Sequence, residues 1–329
     1  MADPRTRRKP YYGPVRRTET LPPLAPCDSC PKPSITWMRY SGQHLCADHL
    51  QESVERRVKK ELKKQGGLPA GRIAVAYSGG KDSTAVLRLV HEIAKDRPDA
   101  EIIALTVDEG IAGYRPAALE VATKQTRKLG IRHEVRRVKD FAGATMDEVH
   151  ALDSDLGQCS FCGVFRRRLM NDFAKDVGAT RLVTGHNLDD TAQTILMNLC
   201  SADLDKLAKL GPHDVTKPGL VPRLAPLRVI PETEVYLYAL TKGFEWHDEE
   251  CPYSVNAQRA VYRDVLYKLE ATRPGTRHAL LRTFEELKPL LPDALARDGM
   301  RECVRCGEPS GGTLCKACQF RERIATIRA

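Results

Sequence analysis

Six consecutive residues, Ser78-Gly79-Gly80-Lys81-Asp82-Ser83, place two glycines, a lysine and two hydroxyls between an apolar run and an amphipathic one. Two glycines let the backbone approach a ligand closely, and a helix opening here presents free N–H groups and the positive end of its dipole. Phosphate is the natural guest, with Lys81 and the hydroxyls of Ser78 and Ser83 as further donors. The G-x4-G-K-[ST] spacing of a Walker loop is absent, so the cradle is of another kind. A plain glycine turn would require neither the lysine nor the hydroxyls.

The eleven cysteines carry a second set of signals. An odd count argues against a disulfide framework and for metal or sulfur chemistry in a reducing compartment. Cys159 and Cys162 form a C-x2-C that runs into Arg166-Arg167-Arg168, and Cys251 follows about ninety residues later. Three thiolates suit an iron–sulfur cluster with one open iron. They also suit persulfide and disulfide chemistry, or a structural zinc completed by His186 or Cys200. Cys200 itself ends an apolar helical face, ILMNLC, and reads as core.

Two further sets, Cys27-x2-Cys30-x15-Cys46-x2-His49 and Cys303-x2-Cys306-x8-Cys315-x2-Cys318, have closed zinc-site spacing. His44 lies only two positions from Cys46, so His49 is preferred. Four ligands leave no open position, and both sites should be structural. The segment Thr184-Gly185-His186-Asn187-Leu188-Asp189-Asp190 closes another apolar run. Its carboxylates can hold Mg2+, manage a proton or cap the next helix. Asp190 is favoured for chemistry, and Asp189 stands evenly between chemistry and a cap.

These residues need elements to position them. Apolar strands at 72–77, 101–107, 132–138 and 181–184 alternate with helical stretches at 83–95 and 189–200. That pattern predicts an α/β fold, a parallel sheet covered on both faces, with ligands at the carboxyl ends of its strands. Residues 201–226 read as loop, and 231–242 and 256–271 as helices. The expected organisation is a flexible basic arm over 1–25, a zinc module over 26–52 and a linker helix over 53–70. A catalytic domain over 71–275, a helical linker over 276–299 and a four-cysteine module over 300–329 follow. A chain with 42% hydrophobic and 29% charged residues is globular, not disordered or fibrous. No apolar run is long enough to cross a bilayer, and residues 1–17 lack the apolar core of a secretory signal, so a cytoplasmic address without membrane is expected. The net charge of +9 fits a polyanionic partner.

SGGKDS between strand and helix resembles the PP-loop of the N-type ATP pyrophosphatases. Together with CSFCGVFRRR, TGHNLDD, PLRVIPETEV, ECPYS and the flanking zinc modules, the chain is similar to the TtuA/NcsA group of tRNA 2-thiouridine synthetases, from about Cys27 to Cys318. The resemblance implies an adenine nucleotide alpha hydrolase-like domain that adenylates the C2 oxygen of a tRNA uridine. A sulfur nucleophile then displaces AMP, leaving 2-thiouridine at position 34 or 54. It implies ATP contacts from Tyr77, Ser78, Gly79, Gly80, Lys81, Asp82 and Ser83, from the strand end around Leu105 and Val107, and from the backbone of Gly185. Cys159, Cys162 and Cys251 match the ligands of a [4Fe-4S] cluster whose unique iron would carry the sulfide, and Asp190 matches a catalytic acid. Implied companions are Mg2+, two structural zinc ions, tRNA, a sulfur donor (sulfide or a ubiquitin-like thiocarboxylate) and a second copy in a homodimer. One position departs from the group: Arg166 stands where TtuA-type sequences often carry Lys. An arginine stays protonated, which leaves phosphate contact as its role. A PP-loop synthetase acting on a small molecule would leave the zinc modules and the three thiols unexplained. A non-enzymatic nucleic-acid binder would leave SGGKDS unexplained.

Overall fold

The run Ile73-Ala74-Val75 offers no polar face to water and forms the centre of a five-stranded sheet, its three side chains fully buried. In the computed structural model, which describes residues 25–152, 158–212, 219–256, 259–291 and 301–328, this run belongs to β3 (Gly71–Ala76). The basic arm expected over 1–25 lies outside the described residues except for its last position, as does the end of the linker expected over 276–299. Around β3 stand β4 (Ala100–Asp108), β5 (Arg132–Arg137), β6 (Ala179–Val183) and β7 (Arg223–Leu224). The order is β5–β4–β3–β6–β7, all parallel. β3 therefore has one neighbour from each side of the chain's winding, the place where such sheets open a crevice at their carboxyl ends.

Side chains alternate across the pleat and sort the covering helices. Ile73 and Val75 join Leu50, Val54, Val58 and Leu62 of α1 (Ala47–Lys64) and the apolar face of α2 (Lys81–Ala94), with Val235 and Tyr238 of α9 (Glu232–Thr241). Ala74 points the other way, into a cluster with Ile103, Leu105, Phe173 and Leu182, where α6 (Gln158–Asp176) lies. The edge strand β5 reads RHEVRR, a charged edge that resists pairing with another chain. The helix expected as a linker over 53–70 thus starts earlier and forms a packed layer.

Both cysteine modules are tied to the central domain. The first is a hairpin of β1 (Thr36–Met38) and β2 (Gln43–Leu45). Its Tyr40 donates to Glu234 of α9 (2.8 Å) and accepts from Arg57 of α1 (3.0 Å). The second, with hairpin β8–β9 (Arg301–Glu302 and Pro309–Ser310) and the last described helix (Lys316–Arg328), docks on α6. Phe320 stacks 4.2 Å from Phe161, Glu308 accepts from Asn171 (2.6 Å) and Lys175 (2.8 Å), and Arg168 donates to Cys306 Sγ (3.0 Å).

Three elements are additions to the sequence reading. The loop expected over 201–226 contains a short helix, α8 (Leu204–Ala208), capped by Asp203, and the fifth strand β7. Two residues of strand are too few to show a period. α3 (Arg115–Leu129), between β4 and β5, also went unread; it enters through Pro116 and stops at Gly130, whose φ of +66° suits a C-terminal cap. α10 (Arg259–Thr272) and α11 (Thr276–Leu287) pack on α7 (Leu188–Cys200).

Candidate active site

The SGGKDS loop leaves β3 and enters α2 with Gly80 as N-cap and no side-chain cap, so the first N–H groups of the helix are free for an anion. Ser83 Oγ donates to Gly80 O (2.9 Å), accepts from Ser78 N (3.2 Å) and lies 3.1 Å from Ser78 Oγ, which holds the loop in shape. Gly79 has φ +86°, and a Cβ there would stand 2.4 Å from the Ala118 carbonyl oxygen. Only glycine fits. Gly185, at the end of β6, is equally confined: a Cβ would come within 3.0 Å of the Asp82 backbone. SGGKDS and TGHNLDD therefore meet in one crevice. Tyr77 is fully buried and Leu105 sits in the core under the sheet, its carbonyl accepting from Tyr77 N (2.8 Å). Val107 is buried as well, beneath the thiols. These three can face a ligand only through their backbone.

Lys81 donates to Asp82 (2.8 Å) and Glu232 (3.4 Å). Desolvation pulls the lysine down, but the two carboxylates more than offset it, so it stays charged. Desolvation raises Asp82 and Asp190, with Arg259 opposing the rise at Asp190. The cap of α7 is Asn187. Its side chain accepts from Asp190 N (3.0 Å) while Asp190 accepts from Asn187 N (3.2 Å), a capping box. Asp189 neither caps nor faces the crevice: it is buried, paired with Arg277, and accepts from Glu232 N (2.8 Å).

Cys159 is exposed with its Sγ 3.5 Å from Tyr253 O, whereas Cys162 and Cys251 are half-buried. All three act on one another electrostatically, and desolvation pushes the Cys162 thiol up to about 11 and raises Cys251. Tyr253 anchors the Cys251 segment by donating to Asp147 (2.6 Å). The two four-residue sets, Cys27, Cys30, Cys46, His49 and Cys303, Cys306, Cys315, Cys318, each bring their ligand atoms within 4.8 Å of one another. His44 instead stacks on Trp37. Cys200 corrects the reading as core: it is exposed, because the last turn of α7 runs past the packed surface.

Several residues of the site carry no spacing signal. Glu109, just beyond β4, pairs with Arg115 in the interior and lies 3.7 Å from Arg166; Arg115 also donates to Ser78 O (3.1 Å). His247 N donates to Gly79 O (2.9 Å). Glu109 could have been noticed as an acid at the carboxyl end of a parallel strand. His186, accessible from the crevice, bonds Thr184 Oγ1 (3.0 Å). Desolvation and the facing Arg166, Arg259 and Arg223 hold its pKa down at about 4. Desolvation and facing positive charge likewise hold Arg167 and Arg223 below the guanidinium range, Arg166 and Arg259 acting on Arg167 and Arg167 on Arg223.

A free helix N-terminus after a glycine loop, crossed by a second loop at the switch point of a parallel sheet, defines a PP-loop nucleotide domain. The PP-loop domain model matches residues 50–270, and the chain belongs to that family. Within it, the chain belongs to the NcsA/TtuA group of tRNA 2-thiolation proteins. It is 37% identical to the tRNA 2-thiolation protein NcsA of Haloferax volcanii, over 92% of this chain and 99% of that one. It is 34% identical to the tRNA-5-methyluridine(54) 2-sulfurtransferase of Pyrococcus horikoshii, over 89% and 93%. Among solved structures it matches the U34-tRNA thiolase NcsA from Methanococcus maripaludis with its [4Fe-4S] cluster, at 34% identity and a TM-score of 0.79, covering 91% of this chain and 96% of that one.

Proposed function

We propose that this chain is an ATP-dependent tRNA uridine 2-sulfurtransferase acting at position 34, the position named for the thiolase that it matches in structure at a TM-score of 0.79. The observation that carries the reading is that the SGGKDS loop and TGHNLDD meet in one crevice, with Arg166 beside Cys162 lying 3.7 Å from Glu109, whose partner Arg115 donates to Ser78 O. Ser78, Gly79, Gly80, Lys81, Asp82, Ser83 and the backbone of Gly185 hold the ATP phosphates, with Mg2+ accompanying the nucleotide. The uridine C2 oxygen attacks the α-phosphorus; the O2–P bond forms and pyrophosphate leaves. The Asp190 carboxylate, made a stronger base by its desolvation, accepts the N3 proton that this step releases. A sulfur nucleophile then forms the C2–S bond as AMP departs with the oxygen.

Cys159, Cys162 and Cys251 fit a [4Fe-4S] cluster, because the three thiols offer the donor set and Arg166 beside Cys162 offsets its negative charge. A cluster bound there supplies an open iron for sulfur. The two closed ligand sets hold zinc structurally. Eleven free cysteines support a reducing, cytoplasmic setting, and no helix among the described residues is long and apolar enough to cross a membrane. A homodimer is supported by an exposed apolar row on α10, Val261, Val265 and Leu269. The sulfur comes from sulfide or from a thiocarboxylate protein.

The test is nucleoside mass spectrometry on unmodified tRNA incubated anaerobically with protein, ATP–Mg2+ and sulfide. ATP-dependent 2-thiouridine mapping to position 34 is the expected result. AMP release without thiolation points to a protein sulfur donor. Neither product overturns the reading in favour of a small-molecule synthetase.

A further inference from the structure

Four arginines packed in the interior each have a carboxylate: Arg115 has Glu109, Arg277 has Asp189, Arg57 has Glu234 and Arg228 has Glu285. Beside the crevice the pattern breaks. Arg167 on α6 and Arg223 at the start of β7 have no acidic partner among the described residues, although each faces other arginines. Arg259 lies 3.5 Å from Asp190 and donates to Thr194 (3.1 Å). Thr194 and Arg223 in turn line a groove of about 400 Å3 that continues along α7 and α8 with Asn198, Lys206 and Lys209, the two lysines paired with Asp203 and Asp205 and the unpaired charge resting on the arginines. Positive charges held together with no counter-charge are costly unless an anion from outside completes them.

We infer that Arg259, Arg167 and Arg223, with the Lys206–Lys209 groove, form a track that receives the phosphate backbone of single-stranded RNA flanking the reacting base. The inference rests on the thiolase reading above. ATP does not account for the track: its phosphates are provided for at the SGGKDS loop, and Arg223 stands two strands further along the sheet, about 10 Å away. A base whose C2 oxygen must reach the α-phosphorus has to leave its stack, so the sugar–phosphate on either side needs its own holders. The groove is open, with Arg223, Lys206, Lys209, Asn198 and Thr194 set among apolar side chains such as Leu210 and Val221, so it offers a backbone both cations and surface to lie on.

The experiment measures binding of unmodified tRNA transcript across a salt titration, with the nucleotide affinity of the same preparations measured in parallel. For the Arg167→Gln/Arg223→Gln double variant, affinity is expected to fall roughly 10-fold at moderate salt, and the slope of log K on log salt to shrink by about 0.7 for each lost contact. ATP affinity should be unchanged, and Arg167→Lys should restore the slope. Wild-type tRNA affinity and slope in the double variant overturn the track while leaving the thiolase reading in place. Weaker binding with an unchanged slope also overturns it, because the damage is then not electrostatic. A wild-type protein that binds ATP but no tRNA overturns the thiolase reading itself, and the track with it.

Discussion

Asp190 has two separable duties, because its carboxylate both completes the capping box of α7 and faces Arg259 across the crevice. Asp190→Asn keeps an oxygen that can accept from Asn187 N, so it should fold nearly as stably as the parent while losing thiolation. Asp190→Ala should lose thiolation and, in addition, about 1 kcal/mol of stability in chemical denaturation. Equal stability of the two variants would contradict the capping role. At Gly79 an alanine meets both a left-handed φ of +86° and the Ala118 oxygen at 2.4 Å. Gly79→Ala should therefore cost at least about 2 kcal/mol and abolish ATP binding; calorimetry with ATP checks it. The phosphate loop was legible in the sequence because its function needs neighbours in the chain, glycines, lysine and hydroxyls on one turn. Glu109, Arg115 and His247 were not, since folding brings them to the loop from three other elements. The cysteine sets fall between these cases: the zinc-type spacings and the C-x2-C are local, whereas Cys251 was grouped with Cys159 and Cys162 across about ninety residues, with no spacing rule to say which chemistry the three thiols serve.

At the scale of elements, helices that looked like connectors carry the architecture. α1 buries Leu50, Val54, Val58 and Leu62 against the sheet, and the first cysteine module reaches the same core through Tyr40, Arg57 and Glu234. α11 closes this corner by stacking His278 on Tyr40, ring centroids 4.2 Å apart. Desolvation and the neighbouring Arg57, Arg277 and Arg282, partly opposed by Glu270, hold His278 down at about 4. Its folded pKa lies below its unfolded value, so the unfolded chain takes up the proton first. Stability should fall as pH drops from about 6.5 toward about 4, and this contribution should be fully restored above that window. His278→Phe should flatten that segment of a stability–pH curve measured by urea denaturation, relative to the parent; parallel curves would refute the assignment. The long, strongly patterned strands β3, β4 and β6 were readable within a residue or two. β7 and α8 were not, because a strand of two residues and a helix of five exist only through their neighbours.

Across the whole molecule, the order of motifs was the most legible feature, and how the ends support the middle was the least. The C-terminal module reads in the sequence as a four-cysteine unit set apart by a helical linker. It is instead the outer support of α6, through Phe320 against Phe161 and Phe165, Glu308 against Asn171 and Lys175, and Arg168 against Cys306. Cys306→Ser should remove one bound zinc and, with it, much of the iron that Cys159, Cys162 and Cys251 retain. Metal analysis of anaerobically purified protein measures both, and full iron content beside lost zinc would show the module to be independent. This support has a consequence in time. α6 is finished at Asp176, yet Phe320 leaves the ribosome about 140 residues later, which at ~5–20 residues per second is a delay of roughly 7 to 28 s. Throughout that interval the aromatic face of α6 stands uncovered, whereas the first cysteine module can already bring its four ligand atoms together. Assembly is thereby staggered by translation: one end of the protein can fold while the chain is still growing, and the helix that carries Cys159 and Cys162 gains its aromatic cover only once residues near 320 have been made.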